Sequence, residues 1–317
     1  MSKYLIENIY KDYSGKQTNT VYLKFLSKLS LSKVLVSKNT GTVFHDDIIN
    51  NDGGGEGSVG NLDSWNKIYS KKMEPKNLQY TSDNPIMNSR HFYGVKLVEK
   101  FFKKKNLLKK RLNFCDFGTG EGNFPFLLKK QLPNVNIILT ENSKANFNFF
   151  QQNFTKEKIT IKKSFLGSIE DFDQLKNNKT INFASLNWTL CNCSNPIAVL
   201  QSISNSLVDN GFLMISESSR ILVPFKKPIH NYFNSKFKSS YHPWHFSYNS
   251  LQNLLEICNF RVVFANRYFD ENDMFVIARK KNKKSKHAPQ IIVDNYLDII
   301  NFFKRWKIES NFYKKLI

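Results

Sequence analysis

Asp116-Phe117-Gly118-Thr119-Gly120-Glu121-Gly122-Asn123-Phe124 follows the short apolar run LNFCDF (112–117) and leads into a stretch of helical character. A buried strand that bends into a helix through three glycines brings backbone N–H groups close to a ligand and admits left-handed backbone in the turn. Working outward, the same strand–turn–helix pattern recurs. NVNIILT (134–140), KITIKKS (158–164), TINFASLN (180–187) and FLMISES (212–218) read as strands. SKANFNFFQQNF (143–154) and PIAVLQSISNSLVDNG (196–211) read as helices, the second stopping at Asn210–Gly211. NSLQNLLEICNF (249–260) is a further helix, and RVVFANRYF (261–269) with MFVIARK (274–280) reads as a hairpin. Strands alternating with helices predict an α/β domain with a parallel early sheet.

The glycine spacing narrows the ligand. A pyrophosphate-binding GxGxxG turn needs a third glycine at position 123, where this chain has Asn123. GxGxG preceded by an acid is instead the loop that cradles the amino-acid portion of S-adenosylmethionine, a ligand cationic at sulfur and ammonium and free of phosphate. Asp116 at the strand end suits that charge. Glu141, nineteen residues past Gly122 at the end of the second strand, can accept both hydroxyls of a ribose. Enzymes that bind NAD use the same device, so Glu141 alone does not choose the cofactor. Ser168 and Ile169, after the third strand, lie where an adenine edge is met, and Asn187 flanks the site from the fourth strand.

Strand, GxGxG, second strand and terminal acid in this register resemble the class I S-adenosylmethionine-dependent methyltransferases, over roughly residues 86–280. The resemblance implies a Rossmann-like seven-stranded sheet whose last strand is antiparallel, an enzyme, and S-adenosylmethionine as cofactor. It implies that Asp116, Gly118, Gly120, Gly122 and Glu141 bind the cofactor, with Thr119 and Phe124 in the same segment. Gly118→Val is then expected to abolish binding and leave the fold largely intact.

Methyl transfer is an in-line displacement that needs an aligned acceptor and, for a hydroxyl or carbon acid, removal of a proton. The candidate base lies in Tyr241-His242-Pro243-Trp244-His245, between the fifth strand and the next helix. A neutral imidazole suits proton removal near pH 7, which makes His245, with His242 and Tyr241 beside it, the catalytic candidate. His245-Phe-Ser-Tyr-Asn-Ser-Leu is similar to the H-x-S-Y-F-S-L stretch of bacterial sugar C-methyltransferases, whose proposed base matches His245. That similarity implies a carbohydrate-type acceptor, with surface polysaccharide synthesis as one setting. The family's preceding Tyr-His-Glu is His242-Pro243-Trp244 here, and the family's large additional domain is missing.

Enzymes of that kind often carry an N-terminal zinc ribbon ending in a cysteine hairpin. Residues 34–44 (VLVSKNTGTVF) have that outline, read as two strands around a turn at Asn39–Gly41, with Ser37 and Thr40 where thiolates would stand. Neutral hydroxyls are poor zinc ligands, so no metal is expected and apolar packing is expected to stabilise the hairpin. The four scattered cysteines, with no CxxC pair, argue against a disulfide scaffold and point to a reducing cytoplasm.

The remaining sequence bounds partners and organisation. Of 47 basic residues only seven are Arg, against 26 acids and a net charge of +21. Nucleic-acid readers favour Arg forks, so the Lys excess reads as a solvated surface, with an RNA methyltransferase as the alternative that the charge keeps open. A non-catalytic partner subunit of methyltransferase fold is the other alternative. Arg220, Lys226 and Lys227 suit a cap over an anionic acceptor such as a nucleotide-sugar. The chain divides into a ribbon-like region and Gly-rich loop (1–60), a helical lead-in (61–111), the methyltransferase domain (112–280), and a basic linker with an amphipathic helix (281–317). Ile292, Tyr296, Ile299, Phe303 and Trp306 form one stripe of that helix, fit for its own domain or for a homodimer. No run is long and apolar enough to span a bilayer, and the start MSKYLIENIYKDYSG lacks a signal-peptide pattern.

Overall fold

The computed structural model describes residues 10–13, 15–26, 33–46, 85–166, 169, 179–193, 195–218, 221–222, 229, 243–267, 273–281 and 291–314. In chain order the strands are β1 (Tyr10–Lys11), β2 (Gln17–Thr18), β3 (Thr20–Tyr22), β4 (Val34–Ser37), β5 (Val43–His45), β6 (Asn113–Phe117), β7 (Asn136–Glu141), β8 (Ile161–Leu166), β9 (Ile181–Asn187), β10 (Leu207–Glu217), β11 (Trp244–His245), β12 (Phe260–Ala265) and β13 (Met274–Lys280). The helices are α1 (Pro85–Lys104), α2 (Asn123–Gln131), α3 (Lys144–Lys156), α4 (Pro196–Ser206), α5 (Tyr248–Ile257) and α6 (Tyr296–Lys314).

The main sheet has the order β12-β13-β10-β9-β6-β7-β8. β13 runs antiparallel to both its neighbours, and the pairs from β10 through β8 are all parallel. The chain winds from β6 outward through β7 to β8, then returns to the other side of β6 for β9. That reversal opens a crevice at the carboxyl ends of β6 and β9, the usual ligand site of such sheets. The sheet is the seven-stranded one that the sequence predicts, with its antiparallel strand in place.

Apolar cores line both faces. Phe114, Phe126, Phe150, Phe154, Phe183 and Phe275 are buried on the α1–α2–α3 side. Cys115, Ile138, Leu186, Val199, Leu213 and Leu254 fill the α4–α5 side. Such full burial accounts for the near-continuous apolar runs of the central strands. Helix starts follow local chemistry: Ser143 accepts from the Asn146 N–H, Asn195 from the Ala198 N–H, and Ser247 closes a capping box with Ser250.

One boundary differs from expectation. Helix α4 ends at Ser206, and β10 begins at once, so Asn210–Gly211 lies inside the strand. Asn210 is left-handed, at φ 62°, and the β9–β10 register shifts between Leu207 and Phe212. The Asn–Gly pair makes a bulge. The helix is instead stopped by the buried Lys280 ammonium, which donates to the carbonyls of Ser204 (2.5 Å) and Leu207 (2.8 Å).

A second sheet, β11-β5-β4-β3, is antiparallel throughout. It takes β3–β5 from the N-terminal region and β11 from between β10 and α5, so these regions share one accessory layer. One face carries Leu35, Phe44 and Trp244 into the main core. The other carries Val34, Val36 and Val43 against Ile299, Phe303 and Trp306 of α6. The central residues of the α6 stripe, Ile299, Phe303 and Trp306, are thus covered within the chain, as its own-domain reading expected, and they do not support a homodimer. Ile292, four positions before α6, stays largely exposed.

At the β4–β5 turn, Ser37 Oγ accepts from the Asn39 N–H (3.2 Å), the Thr40 N–H (3.1 Å) and Thr40 Oγ1 (3.0 Å), and lies 2.6 Å from Thr18 Oγ1. Hydroxyls hydrogen-bonded to one another hold the turn, in addition to apolar packing. Among the described residues, no three His, Cys, Asp or Glu side chains gather as a metal site. None of the described helices is long and apolar enough to cross a membrane.

Candidate active site

Asp116 pairs with Ser185 in the neighbouring strands β6 and β9. Its buried carboxyl accepts the Ser185 hydroxyl and, at 3.0 Å, the Asn187 amide. Asn187 Oδ1 in turn accepts Ser216 Oγ at 2.9 Å. The carboxyl ends of β6, β9 and β10 are therefore tied side by side through polar side chains. Burial, with repulsion from Glu141 added, pushes the Asp116 carboxyl up to about 7, against the lowering effect of the Ser185, Asn187 and Thr119 bonds. Ser185 and Ser216 escape a sequence reading, because two serines in apolar strands carry no motif; only strand order brings them to Asp116.

The glycine loop is fastened to β7. The Thr119 N–H donates to the Thr140 carbonyl (2.9 Å) and the Gly118 N–H to Thr140 Oγ1 (3.2 Å). The Thr119 hydroxyl bonds back to the Asp116 carbonyl at 3.0 Å. The buried Glu141 carboxylate accepts the Gly120 N–H at 2.5 Å on one oxygen and the Ser143 N–H at 2.8 Å on the other. Burial raises its pKa despite those donors. The Asn142 N–H and the Asn146 side chain also bond this carboxylate, so any ligand hydroxyl shares it with protein donors.

Two glycines differ in what surrounds them. At Gly120, φ is +58° and an added Cβ would meet nothing within 4 Å, so the bend opens onto free space. At Gly118, φ is +65° and a Cβ would lie 2.6 Å from Thr189 Cγ2. Gly122 is the left-handed N-cap of α2 and offers no side-chain cap. Phe124 points away from this space, buried against Phe114 and close to Gly94. Ile169 is buried, its carbonyl accepting Ser202 Oγ at 2.8 Å, while Ser168 lies outside the described residues. An open left-handed turn between two buried carboxyls, without a Lys or Arg among these bonds, matches the cationic, phosphate-free ligand expected from the spacing.

The second candidate set lands elsewhere. On β11, Trp244 faces the main core, its ring 5.6 Å from Phe44 and its Nε1 donating to the Cys193 carbonyl at 2.9 Å. Alternation turns the neighbouring His245 to the opposite face. There its Nε2 lies 2.9 Å from Nε2 of His45, with both rings buried. Burial pushes His45 down to about 4, so that imidazole is neutral at pH 7. His45, two hundred positions upstream, is invisible as a partner until β5 pairs with β11. Tyr241, His242, Arg220, Lys226 and Lys227 lie outside the described residues.

A family model described as a methyltransferase domain matches residues 89–264, more than half of the chain. The chain belongs to that family. No curated protein matches the sequence. Among solved structures, this methyltransferase is similar to a candidate sarcosine dimethylglycine methyltransferase from Galdieria sulphuraria (TM-score 0.50, 11% identity, 69% of this chain and 99% of that one). It is also similar to an S-adenosylmethionine-dependent methyltransferase from Aquifex aeolicus (0.48, 18%, 68% and 97%) and to the S-adenosylhomocysteine-bound magnesium protoporphyrin IX methyltransferase of Synechocystis PCC 6803 (0.49, 14%, 69% and 98%). The family match supports an S-adenosylmethionine-dependent enzyme.

Beyond Asn187 the methyltransferase carries a cluster that its sequence does not announce. Trp188 is left-handed at φ 51°, a strained value for a bulky residue. Arg90 lies 4.0 Å over its ring, the His91 ring packs against it tilted by 53° at 4.9 Å, and the Trp188 Nε1 donates to Asp273 at 3.2 Å. His91 is pushed down to about 3, by burial first and by Arg90 second.

Proposed function

We propose that this methyltransferase transfers the sulfonium methyl group of S-adenosylmethionine to a small, carbohydrate-type acceptor. The observation that carries the cofactor half is the open space over Gly120, bounded by the buried carboxyls of Glu141 and Asp116. When bound, S-adenosylmethionine supplies an electrophilic methyl carbon. The loop Gly118–Gly122 seats its amino-acid portion, Asp116 takes the ammonium, and Glu141 holds the ribose hydroxyls. Ile169 supplies an apolar edge for the adenine, and Asn187 keeps Asp116 oriented through their hydrogen bond.

The acceptor half rests on sequence. The 245–251 stretch resembles that of sugar C-methyltransferases, and in the fold its Ser247 caps α5 through Ser250. A nucleotide-linked sugar also suits the basic surface. The test is calorimetry with S-adenosylhomocysteine, followed by transfer of tritiated methyl to a panel of nucleotide-linked sugars and, in parallel, to transfer RNA. Heat with the cofactor product and label in the sugar fraction are expected. Label in RNA, lost steeply as salt rises, would replace this reading with the RNA one. Binding without transfer to any acceptor would favour a non-catalytic partner subunit.

A further inference from the structure

Arg90, in the second turn of α1, makes neither an ion pair nor a hydrogen bond among the described residues; its guanidinium lies over the Trp188 ring instead. A half-buried cation without a counter-charge is an open position for an anion. The neighbouring His91 is buried, and its Nδ1 has no partner among the described residues either. Such an atom marks a place where a partner belongs. Asp273 does not fill the role: it takes the Trp188 indole N–H, and no ion pair joins it to Arg90.

Strand alternation sets this cluster on the same face of the sheet as Asp116. Phe114, Phe183 and Met214 point into the α1–α2–α3 core, so Asp116, Ser185, Asn187 and Ser216, an even number of residues further on, share their face. Phe275, opposite Ser216 on β13, points the same way and meets the Trp188 ring edge-on at 6.1 Å. β9 closes on Asn187, whose amide bonds Asp116; Trp188 is the next residue, and its N–H donates to the Ser216 carbonyl at 2.8 Å. Thr189 follows, its methyl standing where a Gly118 side chain would be, and opens the 3-10 turn Leu190–Asn192. Three successive residues thus reach Asp116, the Arg90 guanidinium and the glycine loop. The left-handed backbone of Trp188 is held by contacts to Arg90, His91, Asp273 and Phe275. Strain so over-determined gathers at ligand sites.

We propose that Arg90, held by Trp188, determines acceptor specificity: its guanidinium binds a phosphate or carboxylate group of the acceptor and so sets the acceptor beside the cofactor. The assignment rests on the methyltransferase reading above and deepens it by making the acceptor an anion. A guanidinium over an indole face is fixed by the ring and still presents its outer N–H groups as a fork, which fits two oxygens of one anion. His91 is uncharged near neutral pH, lowered by burial first and by Arg90 second, so the positive charge of the cluster is that of Arg90. The carboxyls of Asp116 and Glu141 suit a cationic cofactor, and unpaired Arg90 suits an anionic acceptor. The diphosphate of a nucleotide-linked sugar has this chemistry, as does the carboxylate of a uronate.

The test measures transfer of tritiated methyl by wild type, Arg90→Gln and Arg90→Lys as full chains, on nucleotide-linked sugars, methyl glycosiduronates and neutral methyl glycosides. In Arg90→Gln the KM for the anionic acceptor should rise roughly 10- to 100-fold, the worth of a lost charged hydrogen bond. The kcat should move far less, as should the KM for a neutral glycoside, and S-adenosylhomocysteine should bind as to wild type. Arg90→Lys keeps the charge without the fork and should recover only part of the loss. Preference for the nucleotide-linked sugar assigns the anion as phosphate, and preference for the glycosiduronate assigns it as carboxylate. A KM unchanged in Arg90→Gln, or raised equally for charged and neutral acceptors, overturns the proposal and leaves Arg90 a packing residue. So does wild type that methylates the neutral glycoside as readily as either anion, a comparison that needs no variant to fold. Wild type that labels no acceptor of the panel refutes the acceptor class and the proposal with it. Wild type that does not bind S-adenosylhomocysteine refutes the methyltransferase reading itself, an outcome distinct from all of these.

Discussion

Gly120→Ala separates the ligand's demand on the glycine loop from the fold's demand. The new methyl group meets nothing within 4 Å, so the fold charges only for a left-handed alanine at φ +58°, about 1–2 kcal/mol. For a chain of this size that is a fall in Tm of only a few degrees. In the bound state the same methyl stands in the space assigned to the amino-acid portion of the cofactor. It must also let the Gly120 N–H keep its bond to Glu141. We expect affinity for S-adenosylhomocysteine to fall at least ~30-fold, about 2 kcal/mol. Gly118→Ala is the counterpart: its Cβ would lie 2.6 Å from Thr189 Cγ2. Overpacking of roughly 1–3 kcal/mol is added there to the backbone strain. The expectation that Gly118→Val spares the fold is therefore revised, since Thr189 already fills that space. Calorimetric titration paired with thermal scanning reads both quantities. Unchanged affinity in a Gly120→Ala protein that shows the small Tm loss would refute the placement of the cofactor over this bend.

Other expectations follow from the same geometry. Glu141→Ala should weaken cofactor binding by about 1.5–3 kcal/mol, the worth of hydrogen bonds to a charged group, and equal affinities would remove Glu141 from the ribose. Stability should decline above neutral pH. Carboxyls raised to about 7 (Asp116) and about 8 (Glu217) stabilise the fold fully below their unfolded values near 4 and lose that contribution as pH climbs through the folded values. Imidazoles lowered to about 4 (His45) and about 3 (His91) act oppositely, stabilising above 6.5 and failing as pH falls through those values. Between pH 4 and 6.5 the two sets oppose each other; above 6.5 only the carboxyl loss remains, at up to ~1.4 kcal/mol per pH unit per proton. Urea melts across pH should show it, and a curve that keeps rising to pH 8.5 would contradict the burial of these acids. Trp306→Ala should cost about 3–5 kcal/mol, with sedimentation unchanged; a change of oligomeric state would show that α6 serves a second chain after all.

Local signals carried the main sheet. Each strand of the α/β unit is a short apolar run bounded by glycine or a helix cap, and period and punctuation suffice to place it. Asp116, the three glycines and Glu141 were legible for the same reason, lying within one strand–loop–helix–strand passage. Contacts made at long range were not legible. Ser185 and Ser216 reach Asp116 only through strand order, and His45 meets His245 only because β5 adds β11 to its edge. Asn210–Gly211 misled because the same dipeptide ends helices and makes bulges. What ends α4 is Lys280, more than seventy positions away, and no local window contains it.

The accessory layer reaches the turn beside the glycine loop through Trp244. Phe44 and Trp244 pack with tilted rings across β5 and β11, and the Trp244 indole then bonds the carbonyl of Cys193, next to the turn that holds both Thr189 and Cys191. That turn touches Gly118 at one end and Glu217 at the other. On the opposite face of the same strands, α6 buries Ile299, Phe303 and Trp306 against Val34, Val36 and Val43. Sequence-distant parts of the chain thus brace a turn that contacts both the glycine loop and β10. Phe44→Ala should consequently do more than lower stability by about 3–5 kcal/mol. Below its melting temperature it should also weaken S-adenosylhomocysteine binding, although Phe44 belongs to no strand of the main sheet. If the variant binds as wild type does while its Tm falls, the layer is a stabilising cover and the turn holds its shape unaided.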